Sequence, residues 1–188
     1  MRIIAGRWGG QVIASPKGQG TRPTGEKIRG ALFNVLQHQL ALETRVVWDL
    51  YAGTGALGLE ALSRGALQAV FVEDHGKTAQ TLRHTLRHLN IPLAQAQVQC
   101  TKVENFVPQA PWPEAPLLVL LDPPYALWQD GLLLLRLFGT RPLPPGSWLV
   151  AEAPARSTPQ IPQGLESKAT KRYGDTQLLF MISPTDTP

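Results

Sequence analysis

The feature that most restricts the fold of this chain is a regular alternation of short apolar runs with longer segments of helical periodicity. The apolar runs lie at 46–50, 69–73, 96–100, 117–121 and 147–152. Between them, segments such as 56–64 and 77–89 repeat leucine and alanine every three or four residues, as amphipathic helices do. Strands that alternate with helices pair in parallel, and the helices cover both faces of the sheet. The sequence therefore predicts an α/β fold with a mostly parallel sheet, closed by an antiparallel hairpin at Gly174-Asp175.

The first 41 residues differ from this pattern and are basic. The runs "RIIAG" and "GQVIAS" predict a small hairpin, and a helix with an apolar face is expected after Thr24. Between Met1 and Gly30, six Lys or Arg accompany one Glu, whereas the rest of the chain is nearly neutral. Clustered cations gain affinity for polyanions by displacing counterions from phosphates. We predict a polyanion-binding N-terminal β-hairpin and helix extension over 1–41 and a main domain over 42–188, which together form one compact unit; a merely solvated basic surface is the alternative.

The composition limits the class of protein. A chain of 188 residues that is 43% hydrophobic and 17% charged can bury one globular core. Its single cysteine, Cys100, excludes an internal disulfide framework. The N-terminus has no apolar segment of secretory type, and no run approaches the roughly 18 apolar residues of a membrane span. We expect a cytoplasmic protein that does not enter a membrane.

The segment "VVWDLYAGTGALGLEAL" places a strand, a glycine-rich turn and a helix in succession. Gly53, Gly55 and Gly58 match the pattern G-x-G-x-x-G, and Glu73 ends the next predicted strand. Glycines let the backbone approach a ligand closely, and a carboxylate one strand away can accept hydrogen bonds from ribose hydroxyls. A purely structural turn is the alternative, but the strand–helix–strand context favours ligand binding.

Asp49 bears on which ligand this is. It lies at the end of the first strand, four residues before the first glycine, where a carboxylate would face a bound pyrophosphate unfavourably. It would suit a cationic group, such as the amino group of S-adenosylmethionine. A P-loop is excluded because no Gly-Lys-Ser/Thr follows the turn. We favour S-adenosylmethionine over a nicotinamide cofactor and expect no metal site.

The fourth predicted strand ends in Asp122-Pro123-Pro124-Tyr125, an unusually stiff sequence. Two prolines fix φ and remove two N–H groups, so the loop offers mainly hydrogen-bond acceptors. The Asp122 side chain and the Pro123 carbonyl can both accept from an exocyclic amine, and Tyr125 provides a face on which a base can stack. Because ligands of open α/β sheets bind at the carboxyl ends of the strands, this loop should lie beside the glycine turn. The pattern favours transfer of a methyl group to a nucleobase amine.

Together these motifs resemble those of the RsmD family, bacterial methyltransferases of a guanine N2 in 16S rRNA. The stretches that carry the likeness are "MRIIAGRWGG", "TRPTGEKIRGALFNVL", "DLYAGTGALGLEALSRGA", "VFVE" and "LLDPPY". The resemblance implies a Rossmann-like class I methyltransferase fold with seven strands, S-adenosylmethionine as donor and S-adenosylhomocysteine as product. It also implies the guanine at position 966 of 16S rRNA as acceptor, in free rRNA or in a partly assembled small subunit, and no obligate protein partner.

The resemblance also assigns residues to the three parts of the site. It implies a catalytic loop at Asp122, Pro123, Pro124 and Tyr125. The implied cofactor-binding residues are Asp49, Tyr51, Ala52, Gly53, Thr54, Gly55, Glu73, Asp74, Lys102 and Val103. The implied RNA-binding residues are Arg7, Trp8, Arg22, Lys27 and Arg29. One position departs from the family pattern, because Lys102 stands where an Asp often contacts the adenine amino group.

Two other functions remain open at this point. The same loop chemistry could act on an adenine N6 or a protein glutamine, although enzymes of that kind more often begin the loop with Asn than with Asp. A nicotinamide-dependent oxidoreductase could use the glycine turn. It would leave the Asp122–Tyr125 loop and the basic extension unexplained.

Overall fold

The computed structural model describes residues 1–14 and 23–185. Its centre is one seven-stranded sheet with the order β3-β2-β1-β4-β5-β7-β6. The strands are β1 Val46–Leu50, β2 Gln68–Val72, β3 Ala96–Gln99, β4 Leu117–Leu121, β5 Trp148–Pro154, β6 Glu166–Tyr173 and β7 Thr176–Ile182. Strands β1 to β5 are parallel, and β7 is antiparallel to both β5 and β6. The predicted α/β fold, its mostly parallel sheet and its closing hairpin are confirmed.

Helices precede or connect these strands, and those over 56–63 and 76–88 lie where the leucine and alanine spacing predicts them. The helices are α1 Pro23–Leu36, α2 Ala56–Ser63, α3 Gly76–His88, α4 Val103–Gln109 and α5 Leu133–Phe138. Two short 3-10 turns, Leu42–Thr44 and Tyr125–Trp128, precede β1 and follow β4. Within the described residues, no helix is long and apolar enough to cross a membrane.

The two central strands are buried on both faces. Every residue of β1 and of β4 is buried, because α1, α2 and α3 pack on one face of the sheet and α4 and α5 on the other. Such continuous apolar strands are typical of a parallel sheet covered on both sides. The chain then leaves the core at Tyr51 and at Asp122, which are neighbours at the carboxyl edge of the sheet.

The N-terminal segment folds back on itself and packs onto the domain. Arg2 and Val12 form an antiparallel bridge, and Ile3 and Ile13 are buried in the same core as α1 and α2. The predicted pairing of residues 1–14 is therefore present, although it amounts to one bridge between irregular segments. The following loop, with Arg22, lies outside the described residues. The proposed boundary between 41 and 42 stays a prediction.

Candidate active site

A cleft of about 450 Å³ opens at the carboxyl edge of the sheet. Its walls come from the segments that follow β1, β2, β3 and β4. Parallel strands present their carboxyl ends at one edge, so four loops far apart in sequence meet there. The volume is within the range of small-molecule sites. The cleft is thus the candidate site, and it contains every residue of the predicted catalytic loop.

The glycine turn forms the first wall. Gly53 and Gly55 adopt positive φ angles of +54° and +78°, a backbone conformation that L side chains rarely adopt. A Cβ on Gly55 would lie 2.5 Å from Cδ1 of Leu82, so the turn can pack against α3 only without a side chain there. At Gly53 a Cβ would meet no protein atom within 4 Å, although the residue lines the cleft. The turn therefore leaves room for a ligand against its backbone.

Glu73 and Asp74, at the end of β2, form the second wall. The Glu73 carboxylate accepts from the backbone N–H of Gly53 at 2.8 Å and of His75 at 2.9 Å. These bonds fix the carboxylate against the glycine turn. Asp74 is exposed in the cleft. Both are placed as a ribose- or adenosine-binding strand end would be.

Lys102, Val103 and Glu104, where α4 begins, form the third wall. Tyr51 donates from its hydroxyl to Oε1 of Glu104 at 2.6 Å and has a positive φ of 60°. Burial and the neighbouring Glu104 raise the pKa of the Tyr51 hydroxyl, which therefore stays protonated. Lys102 lies in the cleft, as predicted. The only cysteine, Cys100, is exposed just before this wall.

Asp49 lies near the end of β1, as predicted, but its side chain is buried. It is 1% exposed and does not line the cleft. Its carboxylate accepts from the backbone N–H of Gly58 in α2 at 2.8 Å. Burial, and to a lesser extent the charges of Asp122 and Glu73, raise its pKa to about 8. Asp49 therefore lies behind the turn, bonded to α2, and its predicted contact with a cationic ligand stays a prediction.

The Asp122–Tyr125 loop forms the fourth wall. The Asp122 side chain is reachable from the open side of the cleft, yet surrounding protein displaces enough water to raise its pKa to about 6. Tyr125 is 45% exposed, and its hydroxyl is 2.7 Å from Oγ1 of Thr176 on β7. Within the described residues no protein group donates to the Asp122 carboxylate. The loop thus presents an unoccupied acceptor next to an anchored aromatic ring.

The charge of the cleft is negative. Glu73, Asp74, Glu104 and Asp122 line it, and Lys102 is the cation among the residues that do so. A pyrophosphate would be repelled by this lining, whereas a sulfonium and an ammonium group would be attracted. The argument for a cationic ligand therefore does not depend on Asp49, since other carboxylates line the cleft.

One further carboxylate was missed in the sequence. Glu152 lies in β5, and the pairing of Leu121 with Ala151 puts Asp122 and Glu152 side by side at the ends of their strands. Burial and the charge of Asp122 raise the pKa of Glu152 to about 7. The only signal in the sequence is an acidic residue in the apolar run 147–152, and it does not reveal which strand is adjacent.

The predicted RNA-binding residues are dispersed. Arg29 is 4% exposed, donates to the carbonyl of Arg2 and lies 3.7 Å from Glu60, and its predicted phosphate contact stays a prediction. Burial lowers the pKa of its guanidinium, and the charge of Glu60 partly offsets this lowering. Lys27 is exposed. Arg22 lies outside the described residues.

Arg7 and Trp8 lie at the tip of the N-terminal hairpin. Their backbone N–H groups donate to the carbonyl and hydroxyl of Ser63, at the end of α2 remote from the glycine turn. Helix α2 has eight residues, so this tip is about 12 Å from the cleft edge. The Arg7 guanidinium lies 4.9 Å from the Trp8 ring centroid. These residues could reach RNA only well away from a base held at Asp122.

The sheet and the cleft at its carboxyl edge define the class: this is a Rossmann-like, S-adenosylmethionine-dependent methyltransferase fold. The solved structure of the Escherichia coli protein yhhF superposes with a TM-score of 0.82 and 28% identity over 99% of each chain. A Salinibacter ruber RNA methyltransferase in complex with S-adenosyl-L-homocysteine has the same fold, with a TM-score of 0.61 and 17% identity over 90% of this chain and 96% of that one.

Sequence comparison identifies the family. The family model described as conserved hypothetical protein 95 matches residues 1–182. Ribosomal RNA small subunit methyltransferase D of Escherichia coli K12 is 33% identical over 167 residues, which are 88% of this chain and 77% of that protein. The chain belongs to the RsmD family, as the motifs around its glycine turn and its Asp122 loop predict.

Proposed function

We propose that this protein transfers a methyl group from S-adenosylmethionine to the N2 amine of a guanine in 16S rRNA. The observation that carries the proposal is the fourth wall of the cleft. There, the unpaired Asp122 carboxylate and the exposed Tyr125 ring stand beside a glycine turn with space against its backbone. The Escherichia coli relative bears the name of a small-subunit rRNA methyltransferase, which supports rRNA as the substrate class.

The cleft residues fit the donor. Gly53 leaves an open approach to the backbone, Glu73 and Asp74 offer acceptors for ribose hydroxyls, and the acidic lining suits a sulfonium. When bound, S-adenosylmethionine supplies an electrophilic methyl group. The ammonium side chain of Lys102 cannot accept from an adenine amino group, so the backbone near Val103 is the candidate for that contact.

The Asp122 loop would position the acceptor. The nitrogen of an aromatic amine is a poor nucleophile because its lone pair is delocalised into the ring. If the Asp122 carboxylate and the Pro123 carbonyl accept its two hydrogens, they hold the nitrogen and aim the lone pair, while Tyr125 stacks on the base. Orientation of this kind can reach effective molarities of about 10⁵–10⁸ M. Asp122 need not be a strong base, since the amine becomes acidic only once methylated.

The cofactor proposal predicts selective stabilisation. S-adenosylhomocysteine at 100 times its Kd should stabilise the protein by about 2.7 kcal/mol, whereas NAD should leave the unfolding midpoint unchanged. Thermal unfolding with each ligand measures this, and AMP is the control for binding through adenosine alone. Stabilisation by NAD but not by S-adenosylhomocysteine would support the oxidoreductase alternative.

RNA that binds near the cleft should contact cations at the carboxyl edge of the sheet, where the cleft opens. Strand β6 ends beside Pro154 and Thr176, so its exposed Lys171 and Arg172 lie at the same edge of the sheet as the Asp122 loop, three strand spacings or about 14 Å from β4. Lys171 and Tyr173 also face α1 across a groove of about 440 Å³. These positions supplement Lys27 and the predicted Arg22 as candidate phosphate contacts.

The charge of β6 predicts a change in salt dependence. The double variant Lys171→Ala, Arg172→Ala should bind RNA more weakly and flatten the plot of log K against log salt by about 0.7–0.9 for each phosphate that is no longer neutralised. Filter binding of rRNA at several salt concentrations measures the slope. Arg87→Ala is the matched control, because Arg87 lies on α3, on the β3 side of the sheet, whereas β6 is the outer strand on the other side. Equal slopes for both variants would mean that β6 is only a solvated edge.

The experiment that tests the function identifies the product. Labelled S-adenosylmethionine is offered with deproteinised rRNA, with partly assembled small subunits and with DNA, and the nucleosides are digested and identified. N2-methylguanosine is the expected product. If partly assembled subunits are the better substrate than deproteinised rRNA, ribosomal proteins help to present the base. Label in N6-methyladenine would overturn the substrate, and label in protein glutamine would overturn nucleic acid as the acceptor.

A further inference from the structure

Glu152 borders the place where the acceptor base would lie. In the parallel pair β4–β5, Leu120 is opposite Val150 and Leu121 opposite Ala151. Asp122 and Glu152 are the next residues on the two strands, which lie about 4.8 Å apart. Glu152 shares its face of the sheet with Val150, since side chains alternate along a strand, and Val150 packs in the same core as Leu120. The two carboxylates thus emerge at one edge as neighbours.

The anchoring of Tyr125 extends this border. Its hydroxyl is bonded to Thr176, and Thr176 is paired with Pro154, two residues beyond Glu152 on β5. A base stacked on Tyr125 with its amine at Asp122 would therefore have the end of β5 along its adjacent edge. Glu152 is the acidic side chain that this strand places there.

Nothing in the described protein compensates Glu152. It is half-buried beside another carboxylate, and within residues 1–14 and 23–185 no group donates a hydrogen bond to it. A partly desolvated carboxylate without a donor is unfavourable for the folded state. Such uncompensated groups are found where a ligand completes the arrangement, and the missing partner here is a hydrogen-bond donor.

Guanine offers that donor next to the reacting nitrogen. Its Watson–Crick edge carries the N2 amine and, beside it, N1–H; adenine and cytosine carry an unprotonated ring nitrogen beside their amine. A carboxylate adjacent to Asp122 would accept from N1–H of guanine and would repel the lone pair of the other bases. We propose that Glu152 is a specificity-determining residue that accepts a hydrogen bond from N1–H of the acceptor guanine. This inference rests on the proposed function.

The test uses 2-aminopurine, which keeps the N2 amine but has no hydrogen on N1. The substrate on which the wild type deposits N2-methylguanosine is prepared with guanine or 2-aminopurine at that position, and kcat/KM is measured for both. The wild type should prefer guanine by about tenfold or more, the effect expected for one hydrogen bond to a charged group. Glu152→Ala should lose most of this preference, mainly because its kcat/KM for the guanine substrate falls. Glu152→Gln should shift further toward 2-aminopurine, because its amide nitrogen can donate to N1.

Controls separate recognition from folding. Glu114→Gln, in an exposed loop before β4, should keep the wild-type ratio. Stabilisation by S-adenosylhomocysteine checks that each variant retains the cleft, and the isosteric Gln variant carries the test if the Ala variant is unstable. A base preference unchanged in both variants, or a wild type without preference, would overturn the role of Glu152. If instead the wild type forms no N2-methylguanosine on any substrate, the proposed function itself fails.

Discussion

Replacing Asp122 with alanine should reduce methyl transfer by about 10³-fold or more while leaving the affinity for S-adenosylhomocysteine nearly unchanged. The side chain would hold the amine but not the donor, and removing one positioned electrostatic interaction from an active site costs about 10²–10³ in kcat. Loss of orientation adds to this. Single-turnover methylation measures the rate and isothermal calorimetry the affinity. A fully active variant would refute the role of the loop.

The variant Asp122→Asn distinguishes the role of the acceptor oxygen from the role of the negative charge. The amide retains one acceptor oxygen, so this variant should be more active than Asp122→Ala. In the wild type, protonation removes an acceptor from the carboxylate, so the rate should rise as the pH increases through about 6 to 7, where Asp122 and the adjacent Glu152 titrate as a pair. In Asp122→Asn this rise should be smaller, because only Glu152 then titrates. An identical profile for both proteins would mean that another group controls the rate.

Replacing Glu60 with alanine should destabilise the fold by about 3–5 kcal/mol, because it leaves the buried Arg29 without its counter-charge. Glu60 is fully buried in α2 and accepts from the backbone N–H groups of Ile4 at 2.7 Å and Ala5 at 3.1 Å. It also pairs with Arg64 at 2.7 Å. The N-terminal segment is thus attached to the domain through this carboxylate. Chemical denaturation, monitored by tryptophan fluorescence, measures the change.

Two further variants make this prediction specific. Glu43→Ala, at an exposed position before β1, should change the free energy of unfolding by less than about 0.5 kcal/mol. Adding Arg29→Met to Glu60→Ala should restore part of the lost stability, since the more deeply buried of the two cations paired with Glu60 is then removed. If Glu60→Ala costs no more than the Glu43 control, the N-terminal segment is not held in this way.

The fold and the cleft could be predicted because their signals are local. Apolar runs separated by helical periods predicted the parallel strands, whose bounds differ from the structure by at most two residues. The glycine turn and the Asp122 loop each follow a strand, and parallel strands bring such loops together. Gly53, Glu73, Lys102 and Asp122 therefore line one cleft, as expected.

Positions that depend on distant partners could not be predicted. From the sequence, Asp49 could contact a ligand or a helix. In the fold, α2 packs so that the backbone N–H of Gly58 donates to Asp49. Arg29 adds to the positive charge of the first residues, but only the fold shows that Glu60 takes it up. Glu152 is one more acidic residue until the register of β4 and β5 is known. Burial and strand order are properties of the whole chain, and short patterns do not contain them.

The central position of β4 determines how long the site survives as the protein opens. All five of its residues are buried, and β1 and β5 flank it, whereas β3 and β6 are the edges of the sheet. Native proteins open in cooperative units, and exposed edges detach at lower free energy than central strands. The amides of β4 should therefore be among the slowest to exchange with deuterated water. Fraying of β6 would leave Asp122 in register with the glycine turn, whereas fraying of β3 would displace the cleft wall at Lys102–Glu104, so activity lost on heating before global unfolding should be lost at the β3 edge.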